Sequence, residues 1–288
     1  MKDLNYQLMK LCRENRDGSF STQATRRRIL DRIANQVHEL GYKHMQAKSL
    51  KPKHIDALVS LWKDHGISVG TLKNRLSTLR WWAKKINKPS IIAKDNSAYG
   101  IGQRMLVTKE SKAQELDEKK LDQISDQYVR LSLQLQAAFG LRREEAIKFS
   151  PGYAIREDHI RLKASWTKGG RARTVPITNN EQRALLDEVK TLARGGALIP
   201  PELEYIKQLH RYDRQVRNAR ITNPHGLRHA YAQRRYFELT GWKAPAAGGP
   251  ASKSLTLDQR ALIRGARETI SHELGHSREQ VSAVYLGR

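Results

Sequence analysis

Cysteine is nearly missing from this chain: Cys12 is the only one in 288 residues. No internal disulfide can form, and no cysteine-rich zinc site. Long apolar runs are missing as well, and no stretch approaches the roughly 18 residues of a membrane span. The opening residues, Met1-Lys2-Asp3-Leu4-Asn5, hold no apolar signal core, so a cytoplasmic protein is expected. Acidic residues are scarce, with 29 Asp+Glu against 53 Lys+Arg. They do not cluster either; Asp213, Glu202 and Glu204 are scattered among bases. A magnesium nuclease would want paired carboxylates, so no metal or other cofactor is expected. Internal repeats and low-complexity blocks are also absent.

Positive charge is what the chain has in excess, a net of +24. An enzyme of small metabolites has no need of it, whereas a partner bearing a dense array of phosphates would be attracted. Residues 1–100 hold 20 basic and 8 acidic residues, a net of +12, which leaves the other +12 in 101–288. A basic tail is therefore excluded, and both halves look built to touch a polyanion. The plainer alternative is a generally basic, soluble surface.

The first 88 residues read as a small helical bundle. Ser21 or Thr22 can cap a helix striped by Ile29, Ile33, Val37 and Leu40 and stopped at Gly41. A second helix spans Pro52 to Asp64, and a third starts at Ser68 with Val69, Leu72, Leu76, Leu79 and Trp82 inward. The other side of the third shows Lys73, Arg75, Arg80, Lys84 and Lys85, of which the first four are candidate DNA contacts. Residues 89–112 lose all period and read as a linker, and a second domain follows over 113–288. In it, Leu116–Val129 and Leu131–Phe139 read as helices, and His159–Ile177 reads as a β-hairpin turning at Gly169-Gly170. Helices are expected over 180–193, 201–218, 226–238, 257–273 and 278–285, with a loop over 242–254. The fold class is mainly α with a small β-hairpin: a helical core-binding domain plus an α+β domain.

Five places in the second domain stand out: Gly140-Leu141-Arg142 with Glu145 three residues on; Lys168 at the hairpin tip; His225-Gly226-Leu227-Arg228-His229; Leu274-Gly275-His276; and Tyr285. Each alone has an ordinary structural reading, as a salt bridge, a turn residue or a packed ring. Together and in this order they resemble the tyrosine recombinase (phage integrase) family, and the resemblance covers the whole chain.

The resemblance implies a site-specific DNA recombinase, an integrase of a mobile element, bacterial or phage-encoded and associated with the nucleoid. It implies Tyr285 as nucleophile, forming a 3′-phosphotyrosine, and Arg142 and Arg228 as the pair that holds the phosphorane charge. Lys168 would protonate the departing 5′-oxygen. His225 would help move the tyrosine proton, and His276 would hydrogen-bond a phosphate oxygen. Glu145 would orient the arginine cluster, and Arg171 and Arg173 on the hairpin would contact DNA. Implied partners are double-stranded DNA at attachment sites and a homo-tetramer on two sites, joined through a Holliday junction by two domains that clamp the duplex. An excision helper or host bending factor is a further expected partner. Rival readings are a type IB topoisomerase, a telomere resolvase, and a non-catalytic DNA-binding regulator on the same scaffold.

The sequence departs from the family in two places. Forty-seven residues separate Arg228 from His276, with an apparent insert around Trp242–Ser254. Only Leu-Gly-Arg follows Tyr285, so the insert with the helix after it is the candidate for reaching towards neighbouring subunits, the alternative being that it packs on its own domain. A separate N-terminal arm-binding domain is not expected, since the core-binding helices begin within the first 25 residues.

Overall fold

The computed structural model describes residues 3–105, 107, 110–251, 254–276 and 281–288. The chain forms two compact units, Met1–Met105 and Leu106–Arg288.

The first unit is four helices: α1 (Asp3–Glu14), α2 (Phe20–Glu39), α3 (Pro52–Asp64) and α4 (Val69–Lys85). α1 was not anticipated, although Leu4, Leu8 and Cys12 give it a buried stripe at four-residue spacing. α2 is capped by Ser19, two residues before the expected position, with its hydroxyl accepting from the Thr22 N–H at 3.3 Å. Ser68 caps α4 in the same way. Trp62 and Trp82 are fully buried, and each indole N–H finds an oxygen, Gln36 Oε1 at 2.9 Å and the Ala47 carbonyl at 3.0 Å.

Two expectations for this unit change. Ile92 and Ile101 are buried in its core, so most of the supposed linker belongs to the bundle. Arg80 secures that segment, donating to the Ala93 carbonyl and to Asn96 Oδ1, each at 2.9 Å. Arg75 is only 6% exposed, with its guanidinium 5.1 Å from the centre of the Trp62 ring. It is a core cation on an aromatic face, and the reading of it as a DNA contact does not hold. Lys84 is exposed, and Lys73 is half-buried.

The second unit contains α5 (Glu118–Asp122), α6 (Gln127–Phe139), α7 (Arg143–Ile147), α8 (Pro151–Ala154), β1 (His159–Leu162), β2 (Arg173–Pro176), α9 (Asn180–Ala193), α10 (Tyr205–Asn218), α11 (Gly226–Thr240), α12 (Leu257–Glu273) and α13 (Ala283–Leu286). The single helix expected over Leu116–Val129 is broken, because the Asp126 carboxylate caps a new helix at the Val129 N–H, 3.0 Å away. β1 and β2 pair antiparallel, from His159 opposite Pro176 to Leu162 opposite Arg173. The first strand stops short of Trp166, whose ring turns inward onto Tyr153 at 5.6 Å between centroids. Of the last expected helix, residues 278–280 lie outside the described residues, and α13 covers its end.

Two cores among the described residues join these elements: a smaller one gathers Leu121 of α5, Leu133 of α6, Ile147 of α7, Tyr212 of α10 and Leu227 of α11, and the larger contains Tyr285. Leu131, Leu135 and Phe139 of α6 meet Ile160, Leu162 and Val175 of the hairpin, Leu185 and Val189 of α9, Tyr236 of α11, Ile263 and Ile270 of α12, and Tyr285 and Leu286 of α13. The described part of the 242–254 insert lies on its own domain rather than reaching outward: Ala244 is fully buried and Trp242 packs on the same core. Among the described residues, no helix is long and apolar enough to cross a membrane.

Candidate active site

α6 ends at Gly140, which takes a left-handed conformation (φ 61°). A Cβ there would lie 2.5 Å from the Tyr231 ring, so only glycine lets α6 meet α11 so closely. The turn releases two groups into one place: the Gly140 carbonyl and, two residues on, Arg142 at the start of α7. The Glu145 carboxylate reaches back to the Arg142 backbone N–H at 2.7 Å and accepts from its Nη1 at 2.8 Å.

Glu145 is completely buried, and its other donors come from Arg173, at 2.9 and 2.7 Å. Burial alone would raise its pKa, but the Arg173 hydrogen bonds and the surrounding arginine charges bring it down to about 2. Arg173 is itself 5% exposed and also donates Nε to the Glu273 carbonyl at 2.8 Å. All three of its guanidinium nitrogens are thus engaged inside the protein. The expectation that Arg173 touches DNA is corrected: it braces the site from behind, while its neighbour Arg171 is exposed.

Arg228, on the first turn of α11, is 1% exposed. It donates to the Gly140 and Leu274 carbonyls, and its Nε lies 3.4 Å from the Tyr285 hydroxyl. Desolvation first, then the nearby Arg142 charge, lowers its pKa to about 10. Arg142 Nη2 also donates to the Leu274 carbonyl, at 3.4 Å. Two guanidiniums from different helices therefore converge on one oxygen.

That oxygen belongs to the corner that ends α12. Gly275 (φ 66°) makes the bend, and a Cβ on it would lie 2.8 Å from Arg173 Cδ. His276 follows, its ring stacked on Tyr285 with centroids 5.4 Å apart and planes at 25°. Its Nε2 is 3.4 Å from Arg228 Nη2, and its buried Nδ1 has no partner among the described residues. Desolvation and then the Arg228, Arg142 and Arg173 charges push its pKa down to about 3, so the ring is neutral at pH 7.

Two more imidazoles border Tyr285. The His225 ring is exposed and 6.0 Å from the Tyr285 ring, its pKa lowered by desolvation, then by Arg228 and Arg142. His229 is 4% exposed and closer, at 4.5 Å, with its pKa brought to about 4 by burial, then by His225, Lys112 and Arg228. Tyr285 itself is 6% exposed, and its carbonyl accepts from Gln233 Nε2 at 2.9 Å.

The structure thus brings Arg142, Glu145, Arg228, His276 and Tyr285 together, with His225 at the rim. Lys168 stands apart on the exposed turn between β1 and β2, with no hydrogen bond or ion pair among the described residues. His229, Arg173 and Glu273 were not singled out for these places. His229 could have been, since it lies one turn after His225 on the same helix face. No group of three or more His, Cys, Asp or Glu able to hold a metal occurs among the described residues.

Two family models match the chain: the N-terminal domain of phage integrase over residues 1–89 and the integrase domain over 102–234. The chain belongs to the tyrosine recombinase (phage integrase) family. His276 and Tyr285 lie beyond the matched residues and enter the site through the geometry above. No curated protein matches the chain. Solved structures of low identity share the fold. The XerH site-specific recombinase, in a post-cleavage complex with palindromic difH, matches with a TM-score of 0.62 at 18% identity, covering 99% of this chain and 81% of that one. A lambda integrase dimer on a COC′ core site matches with a TM-score of 0.61 at 16% identity, covering 99% and 96%. The Tn1549 transposon integrase with circular-intermediate DNA matches with a TM-score of 0.56 at 14% identity, covering 100% and 96%.

Proposed function

We propose that this chain is a site-specific DNA recombinase of a mobile element, cutting and rejoining DNA through Tyr285. The observation that supports this most is the convergence of Arg142 and Arg228 on one oxygen beside the Tyr285 hydroxyl. A scissile phosphate in place of the Leu274 carbonyl would receive both guanidiniums on its non-bridging oxygens.

The Tyr285 oxygen attacks phosphorus as its proton leaves for a neutral imidazole. His229 and His276 lie against its ring, and His225 at the rim could accept the proton from solvent side. The P–O5′ bond breaks, and the departing oxygen takes a proton from Lys168 on the hairpin tip. The products are a 3′-phosphotyrosine and a free 5′-hydroxyl, which conserves the bond energy. Attack by a 5′-hydroxyl from another duplex reverses the chemistry and exchanges strands. The arginines neutralise the phosphorane charge at every step.

The partners of this reading are duplex DNA at two recombination sites and three further copies of the chain. It draws on the relatives: lambda integrase is solved as a tetramer bound to a Holliday junction. Exposed Lys84 and Arg171 and half-buried Lys73 would contact DNA.

A nicked suicide duplex tests the reading. The wild-type chain should form a covalent adduct, and peptide mass spectrometry should place the phosphate on Tyr285. Tyr285→Phe should bind the same duplex and form none. An adduct on another tyrosine, or none from the wild type, would reject the proposal.

A further inference from the structure

Behind the two arginines lies a polar layer that the proposed reaction does not touch. Glu273, the last residue of α12, is 3% exposed. Its carboxylate accepts from the Tyr231 hydroxyl at 2.7 Å, from Arg235 Nη2 at 2.9 Å and from Arg235 Nε at 3.2 Å. Arg235 continues to Glu238 at 2.6 Å. A buried carboxylate is tolerated only when paired and hydrogen-bonded. These donors come from successive turns of α11, so the side chain ties the end of α12 to α11 in one place.

The main chain of that corner has a different task. The Glu273 carbonyl holds Arg173 Nε, and the Leu274 carbonyl holds Arg142 and Arg228. Gly275 then turns the chain, and His276 lands on the Tyr285 ring. Four side chains of the site, Arg173, Arg142, Arg228 and His276, are thus placed by one short corner, and the Glu273 carboxylate ties the start of that corner to α11. An apolar residue at 273 could fill the space, but it would give the corner no directional anchor.

We propose that Glu273, held by Tyr231 and Arg235, is a positioning residue: it fixes the corner whose carbonyls pre-align Arg142 and Arg228 before the scissile phosphate takes the place of the Leu274 oxygen, and it does not touch DNA. This rests on the strand-cleavage reading above.

The test compares E273Q and Y231F with the wild-type full chain on two nicked suicide duplexes. One has the ordinary phosphodiester, and the other a neutral methylphosphonate at the scissile position. The methylphosphonate develops less negative charge, so the aim of the arginines matters less to it. Misplacement by a fraction of an ångström to one ångström should slow single-turnover cleavage of the phosphodiester by about 10–100-fold in E273Q. Half-site binding should stay within about twofold, because the many other cations supply it. On the methylphosphonate the deficit should shrink to less than about threefold. Y231F loses one hydroxyl and should follow the same pattern with a smaller deficit. It keeps the comparison available if E273Q does not fold. Equal deficits on both substrates, or no deficit in either variant, overturn the positioning role while the wild type still cleaves. A wild type that forms no adduct on either substrate overturns the reaction, and this role with it.

Discussion

At the scale of single residues, the two arginines are alike in chemistry and unlike in burial, and the difference is measurable. Losing either transition-state cation should reduce cleavage about 10²–10³-fold. Arg228 is 1% exposed, and its loss would leave the Gly140 and Leu274 carbonyls without this donor. Each such buried group costs about 1–3 kcal/mol, so Arg228→Ala should also lower the melting temperature by several degrees, at roughly 2–4 °C per kcal/mol. The Arg142 side chain is 22% exposed, and Glu145 keeps Arg173 in its absence. Arg142→Ala should therefore lose rate with little loss of melting temperature. Thermal unfolding beside single-turnover cleavage separates the two; equal destabilisation would contradict the burial argument. Tyr231 illustrates the same point. Its hydroxyl is committed to Glu273, and burial, followed by the Glu273 charge, raises its pKa, which makes it a poor rival to Tyr285.

At the scale of elements, the hairpin is the part whose chemistry its own geometry least constrains. Lys168 sits on an exposed tip, with no hydrogen bond or ion pair to the arginine cluster among the described residues. If it delivers the proton to the leaving oxygen, Lys168→Ala should be slow on an ordinary duplex and close to wild type on a 5′-bridging phosphorothiolate, because sulfur leaves unprotonated. A variant equally slow on both would move the acid elsewhere. The residues that gather around Tyr285 were legible in the sequence only together, through the ordered motifs of the family they resemble, and two glycines mark where the chain turns towards them. Gly140 ends a helix just before Arg142, and Gly275 bends the chain just before His276. The brace was not legible. Arg173 and the Glu273 carbonyl it holds are 100 residues apart, and an arginine in a basic hairpin looks the same whether it faces DNA or a buried carboxylate. The insert left two readings open for a related reason: Ala, Gly and Pro suit an arm, but small residues also let a segment lie on its own domain, as buried Ala244 does.

At the scale of the whole molecule, the buried carboxylate and the imidazoles beside the arginines predict that stability falls in acid. Glu145, brought down to about 2, contributes stability above its unfolded value near 4.5 and loses it as pH falls towards 2. His229 and His276, at about 4 and about 3, stay neutral in the folded chain while the unfolded chain takes up protons near pH 6.5. Their stabilisation is complete above pH 6.5 and fades as pH falls from there. Each pH unit between 6.5 and 4 should weaken the fold by up to about 1.4 kcal/mol per histidine, while these groups add no slope between pH 7 and 8.5. Thermal unfolding across this range checks the sign, and His229→Gln should flatten the acid slope.

The Leu274 carbonyl, gripped by both arginines, has a consequence for the crowded ionic milieu of a cell. In the proposed reaction it is an uncharged placeholder where the scissile phosphate would sit. A free phosphate must evict it with nothing else to hold on to, and it gains little by arriving. A phosphate delivered within a bound duplex arrives with its neighbours already in contact. In the proposed reaction, the same two guanidiniums can thus ignore loose anions and still close on a tethered one.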